Sequence, residues 1–211
     1  LNAEFAYQPV FSFLKDQQVI AITQNINLSY LGSGWSWNDY METYMAPRSQ
    51  LPMYGNLLRL KWVNKDSITL IPRYFRSKEK FLDKATPDGF KVFKSFDENI
   101  FTISAGSEKQ LSVPFTPSAD VILDLLRDTL HNTEVYRSAE SRPFVHYHII
   151  HSQPTDSLLR PMMHRSDNFF AEQTLLMVSN ELLGVMNDEK IIDTLLKTDF
   201  KDLPQKPRWV D

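Results

Sequence analysis

Cysteine is absent from the 211 residues. That excludes disulfides, Cys-ligated zinc and thiol nucleophiles, and it suits either the cytosol or an export route that avoids pairing errors. A strong charge of either sign is missing too: a formal net charge of -3 offers no basic field to hold nucleic acid or an anionic membrane. No apolar run approaches the ~20 residues that span a bilayer. No charged start followed by a hydrophobic stretch marks a signal peptide. The chain opens on Leu1 without an initiator Met, so an internal or processed segment is expected, and compartment is not read from the missing signal. What is present suits a packed core. Hydrophobic residues make up 42% and aromatics 12%, which argues against disorder and supports one sizeable domain or two small ones.

Val10 to Leu14 place apolar residues at helical spacing over barely a turn and a half. Ile20, Ile22, Ile26 and Leu28 then share one parity, the period-2 mark of a half-buried strand. Leu31-Gly32-Ser33-Gly34 is a turn cluster leading into an aromatic stretch from Trp35 to Tyr40. From Asn56 to about Phe115 the texture is β. Leu58, Leu60 and Trp62 alternate with Arg59 and Lys61; Phe90, Val92 and Phe96, then Phe101, Ile103 and Ala105, form further sets. Pro87-Asp88-Gly89 and Asp97-Glu98-Asn99 supply turns between them. After Pro117-Ser118, Val121, Ile122, Leu125, Leu126 and Leu130 repeat with a helical period. A strand is expected from Phe144 to Ile150. Pro154-Thr155-Asp156 opens a helix carrying Leu158, Leu159, Met162 and Met163, and Pro161 is expected to kink it. A longer helix follows from about 167 to 185, then a short one with Ile191, Ile192, Leu195 and Leu196. The chain is β-rich early and helical late, with a boundary near Ser152.

His146, His148 and His151 form an H-x-H-x-x-H run. On a strand the first two share a face and the third points away, so they do not converge on one tetrahedral zinc. The run reads as a partly exposed strand, and no metal is expected. Ser166-Asp167-Asn168 is the second candidate. Taken alone, such a tripeptide is a good helix N-cap, and Ser36-Trp37-Asn38 is a further S-x-N in a turn with no catalytic meaning.

Context gives the tripeptide weight, because S-x-x-K, S-D-N and K-T-G form the motif set of penicillin-binding proteins and class A β-lactamases. The run Leu158-Leu159-Arg160-Pro161-Met162-Met163-His164-Arg165-Ser166-Asp167-Asn168-Phe169-Phe170-Ala171-Glu172-Gln173 resembles the middle-motif region of the D-Ala-D-Ala carboxypeptidases with large insertions, the type-C penicillin-binding proteins. Gly34-Trp35-Ser36-Trp37-Asn38-Asp39, then Tyr44-Met45-Ala46-Pro47 and Asn56, resemble the accessory-domain signature of that family. The resemblance implies a covalent acyl-enzyme formed from peptidoglycan stem peptides or penicillin. It implies Ser166 as the hydroxyl that relays a proton to the leaving amine and Asn168 as the amide that orients substrate and lysine, with Asp167 structural. Asp39, with Tyr44 as a wall, matches positions that recognise the free amino end of a diaminopimelate side chain. Read without the resemblance, Asp39 is a turn or cap residue beside Trp37.

Two S-x-x-K strings occur, Ser12-Phe13-Leu14-Lys15 and Ser77-Lys78-Glu79-Lys80. The first lies in the segment that resembles an accessory helix and the second in a charged stretch between strands, so neither is expected to be the nucleophile. Lys197-Thr198-Asp199 follows a helix and lacks the glycine of K-T-G. The nucleophile and K-T-G motifs are therefore expected outside this chain, and the isolated segment is expected to be inactive. The expected fold is mixed α/β, with β-rich accessory domains inserted into a partly present penicillin-recognising serine peptidase domain. Its parts are 1–55, first accessory portion; 56–115, inserted β-rich subdomain; 116–152, accessory return; and 153–211, start of the C-terminal part of the catalytic domain. The expected parent is an exported, periplasmic or cell-envelope DD-carboxypeptidase, also an endopeptidase in some members, that needs no cofactor. Its partners would be stem peptides and β-lactams, not nucleic acid, and a homodimer stays open. Two rivals stand beside it: a non-catalytic cell-wall binding or scaffold homologue, and a β-lactamase, to which insertions of this size are ill suited.

Overall fold

The computed structural model describes residues 5–23, 28–32, 34–64, 67–82, 91–104, 110–132, 134–138, 149–205 and 207. Helices and strands mix throughout, as the α/β expectation requires. α1 (Pro9–Lys15) has proline at its first turn, where a missing N–H costs nothing. β1 (Ile20–Thr23) is shorter than its parity suggested, and Leu28 lies outside it.

β2 (Leu57–Asn64) pairs antiparallel with β3 (Ser67–Ile71) on one side and with β7 (Gln110–Pro114) on the other. The period-2 reading holds there: Leu58 and Leu60 are fully buried, while Arg59 is half-buried and Lys61 exposed. A second sheet takes the order β4 (Glu79–Leu82), β6 (Phe101–Ser104), β5 (Lys91–Phe93). β5 ends at Phe93, so Phe96 falls in the following turn region instead of a strand. Phe75 joins the two sheets. Its ring meets Phe101 edge-on at 5.4 Å and Phe115 at 5.0 Å, and all three are fully buried.

α2 (Ala119–Leu130) closes this core. Ser118 caps its start by accepting the Val121 N–H, and Ile122, Leu123, Leu125, Leu126 and Leu130 are buried among the strand residues. Behind it, β8 (Val135–Ser138) runs parallel to β1 from Ile20↔Val135 to Thr23↔Ser138. Composition did not mark that strand. Of the strand expected over 144–150, positions 144–148 lie outside the described residues, and Ile149 and Ile150 are not in a strand. α3 (Thr155–Arg165), α4 (Asn168–Leu183) and α5 (Asp188–Lys197) complete the chain. α3 runs through Pro161 as one element.

Candidate functional site

The Ser166-Asp167-Asn168 tripeptide is the hinge between two helices. α3 ends at Arg165, and Ser166 takes the left-handed conformation with φ 50°. The Ser166 and Asp167 N–H groups both return to the Met162 carbonyl, closing the helix as a left-handed cap does. Asp167 then caps α4: its carboxylate accepts the Phe170 N–H at 3.1 Å. Asn168 is the first residue of α4. The tripeptide is therefore both a cap and a device that exposes one hydroxyl at a fixed place. Ser166 is exposed and Asn168 half-buried.

The segment with Asp39 and Tyr44 folds as two short 3₁₀ turns, Trp37–Asp39 and Thr43–Met45. Asp39 and Glu42 lie close enough for their charges to act on the Tyr44 phenol. Partial desolvation and then those charges push the Tyr44 phenol above its ordinary value, so it stays neutral. Tyr40 anchors the segment from behind, donating its hydroxyl to the Lys94 carbonyl at 2.8 Å.

From Met45 to Ser49 every residue is buried against the start of α4. Ala46 packs on Phe169 and Phe170. The Gln173 side-chain amide exchanges two hydrogen bonds with the Ser49 backbone, at 2.8 and 3.0 Å. Asn56 holds the same segment from the other side, donating to the Pro47 carbonyl and the Ser49 Oγ and accepting from the Met53 N–H. It completes a left-handed turn of Tyr54, Gly55 and Asn56, whose φ values are 57°, 66° and 52°. Each non-glycine residue there costs ~1–2 kcal/mol, which the satisfied Asn56 amide offsets.

These connections create one cleft of about 310 Å³. Tyr44, Gly55 and Arg59 line one side; Arg165, Ser166 and Asn168 line the other. Three of the four site residues expected from sequence thus meet in one cavity, and the charge of the fourth, Asp39, acts on Tyr44. The lining combines two hydroxyls, an amide, a phenol, a carboxylate and two guanidiniums, a set suited to hydrogen-bonding a peptide.

Among the described residues, neither S-x-x-K serine lines this cleft. Ser12 donates back to the Gln8 carbonyl within α1, and Ser77 sits in the 3₁₀ turn Arg73–Lys78. Lys197 ends α5 and pairs with Asp193, which removes it as a K-T-G lysine. Of the histidine run, His146 and His148 lie outside the described residues and His151 is exposed in irregular chain. Among the described residues no His, Asp and Glu group could hold a metal ion. Sequence reasoning missed Arg48, Glu172 and Asp188, an ion cluster in which a buried guanidinium meets two half-buried carboxylates. A lone arginine in Ala46-Pro47-Arg48 signals nothing locally, since both carboxylates come from far along the chain.

The mixed α/β fold is similar to that of part of a penicillin-binding protein. The chain is similar to the crystal structure of penicillin binding protein 4 (dacB) from Haemophilus influenzae, with a TM-score of 0.55 and 16% identity. The match covers 82% of this chain and 44% of that one, so this chain spans less than half the length of its structural neighbour. No protein-family model and no curated protein matches the sequence.

Proposed function

We propose that this chain is part of a serine-type D-Ala-D-Ala peptidase that acts on peptidoglycan stem peptides and binds β-lactams, in the manner of the type-C penicillin-binding proteins. The observation that carries the reading is the meeting of Tyr44 with Ser166 and Asn168 in one cleft, although Tyr44 lies far from that pair in sequence. In this reading a serine and lysine supplied by the remainder of the protein attack the D-Ala-D-Ala carbonyl. The serine oxygen bonds the carbonyl carbon, the lysine accepts the hydroxyl proton, and the terminal D-Ala leaves as its amine. Ser166 relays a proton to that amine, and Asn168 orients the substrate amide and the lysine. Asp39 takes the ammonium of a diaminopimelate side chain as a charge-assisted hydrogen bond, with Tyr44 as the adjacent wall. Residues 1–55 and 116–152 form the accessory portion, 56–115 its β-rich insert, and 153–211 the return to the catalytic domain. The parent is exported to the cell envelope; among the described residues no helix is long and apolar enough to cross a membrane.

The test is labelling with a fluorescent penicillin. The complete reading frame should take the label, and replacing its upstream S-x-x-K serine should abolish it. Label on these 211 residues alone, or no label on the complete protein, would overturn the assignment. Asp39→Asn is expected to weaken diaminopimelyl peptides while sparing penicillin acylation; equal loss on both removes Asp39 from the site.

A further inference from the structure

We propose that Arg48 is a positioning residue that sets the spacing between Tyr44 and the Ser166–Asn168 junction; only its consequence for substrate rests on the peptidase reading. Arg48 is 1% exposed, and its guanidinium reaches four acceptors. Nη1 lies 2.9 Å from the Glu172 carboxylate and 2.8 Å from that of Asp188. Nε donates to the Ser29 carbonyl at 3.2 Å and Nη2 to the Leu31 carbonyl at 2.8 Å. Its own N–H donates to the Tyr30 carbonyl.

These acceptors belong to three separate stretches. Residues 29–31 lead into the Trp35–Asp39 region, Glu172 sits one turn beyond Asn168 on α4, and Asp188 opens α5. One planar fork therefore ties the Asp39–Tyr44 wall to the helix that presents Asn168. A lysine keeps the charge but not the fork, because its three donors radiate from one point. Arg48→Lys separates position from charge for that reason.

The absence of cysteine makes a direct measurement simple. Glu42→Cys and His164→Cys place the only two thiols on exposed positions flanking the cleft without lining it. Nitroxides there report the separation of the two walls by electron–electron double resonance. The 211-residue parent should give a single narrow distance. Arg48→Lys should lengthen or broaden it, while a control pair of thiols at His164 on α3 and Glu181 on α4 keeps its distance. A folded Arg48→Lys chain with the parent distance would overturn the proposal, as would a control pair that moves as much as the cleft pair. If Arg48→Lys does not fold, Glu172→Ala, which leaves Arg48 paired with Asp188, is held to the same two outcomes. In the complete protein a misplacement of ~1 Å should lower kcat/KM on a stem peptide by on the order of 100-fold. Failure of the complete protein to hydrolyse any D-Ala-D-Ala peptide would end the peptidase reading and leave the distance result standing.

Discussion

Ser166 holds a conformation that disfavours it. At φ 50° its Cβ crowds the backbone, and glycine is the usual residue at such a helix end. Ser166→Gly should therefore stabilise the chain by about 0.5–1 kcal/mol in denaturant unfolding. If the hydroxyl relays protons, the same change should slow acylation of the complete protein by on the order of 100-fold or more. Stability gained with activity lost is the pattern of a strained functional residue; a less stable, fully active variant would make Ser166 an ordinary cap. Lys94 is a second residue at odds with its surroundings. It is 7% exposed, with Nζ donating to the Ser95 carbonyl at 2.8 Å and the Phe96 carbonyl at 3.1 Å. Burial lowers its pKa from 10.5 to about 8, against the opposing charge of Asp97. The folded state thus releases this proton first. Between pH 8 and 10.5 the unfolded chain binds more protons, so Lys94's contribution rises with pH through that window and is lost as pH falls below about 8. Relative to Lys94→Met, the parent should gain up to ~3 kcal/mol across the window in unfolding experiments at stepped pH. A flat difference would show that the amine reaches water.

At the level of elements, the α3–α4 junction turns on one cap. Asp167→Ala removes the acceptor for the Phe170 N–H and should cost about 1 kcal/mol in urea unfolding; Asp167→Asn keeps an acceptor and should cost less. The Arg165 contact at 3.5 Å is partly exposed on both sides and adds little. This junction was legible in the sequence because S-D-N is a cap signal and a catalytic motif at once. β2 and α2 were legible for a different reason: the alternation of Leu58 and Leu60 and the helical repeat of Ile122 to Leu130 are long enough to display their period. β8 was not, since Val135–Ser138 is four residues with one buried side chain, and its partner β1 lies on the far side of β2 to β7 and α2 in the chain. The ion cluster of Arg48 escaped for the same cause. Local pattern reports which face of an element is buried, not which distant element covers it. Asn56 lay between these cases, quoted as part of a signature while its left-handed φ and three-way amide emerged only from the packing.

For the molecule as a whole, two cores differ in completeness. The larger encloses both three-stranded sheets and α2 with Phe75, Phe101 and Phe115 at its centre, and its members are sealed. The smaller, Ala46 with Phe169 and Phe170, sits under α4, whose apolar residues are not confined to one stripe but mix with polar ones around the helix. Leu176 faces inward fully buried, yet Met177 is 57% and Leu182 61% exposed on the same helix, and Met163 of α3 is 72% exposed. Exposed large apolar side chains that gather into a patch mark a surface that another part of a protein covers. In the proposed peptidase Met163, Met177 and Leu182 would meet the rest of the catalytic domain. The isolated 211 residues should therefore bind a hydrophobic dye and self-associate with rising concentration in sedimentation velocity. Met177→Gln with Leu182→Glu should suppress both, and because these side chains touch little within the chain, its unfolding free energy should change by no more than about 0.5 kcal/mol. A parent chain that stays monomeric and dye-silent would mean α4's outer face tolerates water, and the catalytic domain would need another surface on which to complete itself.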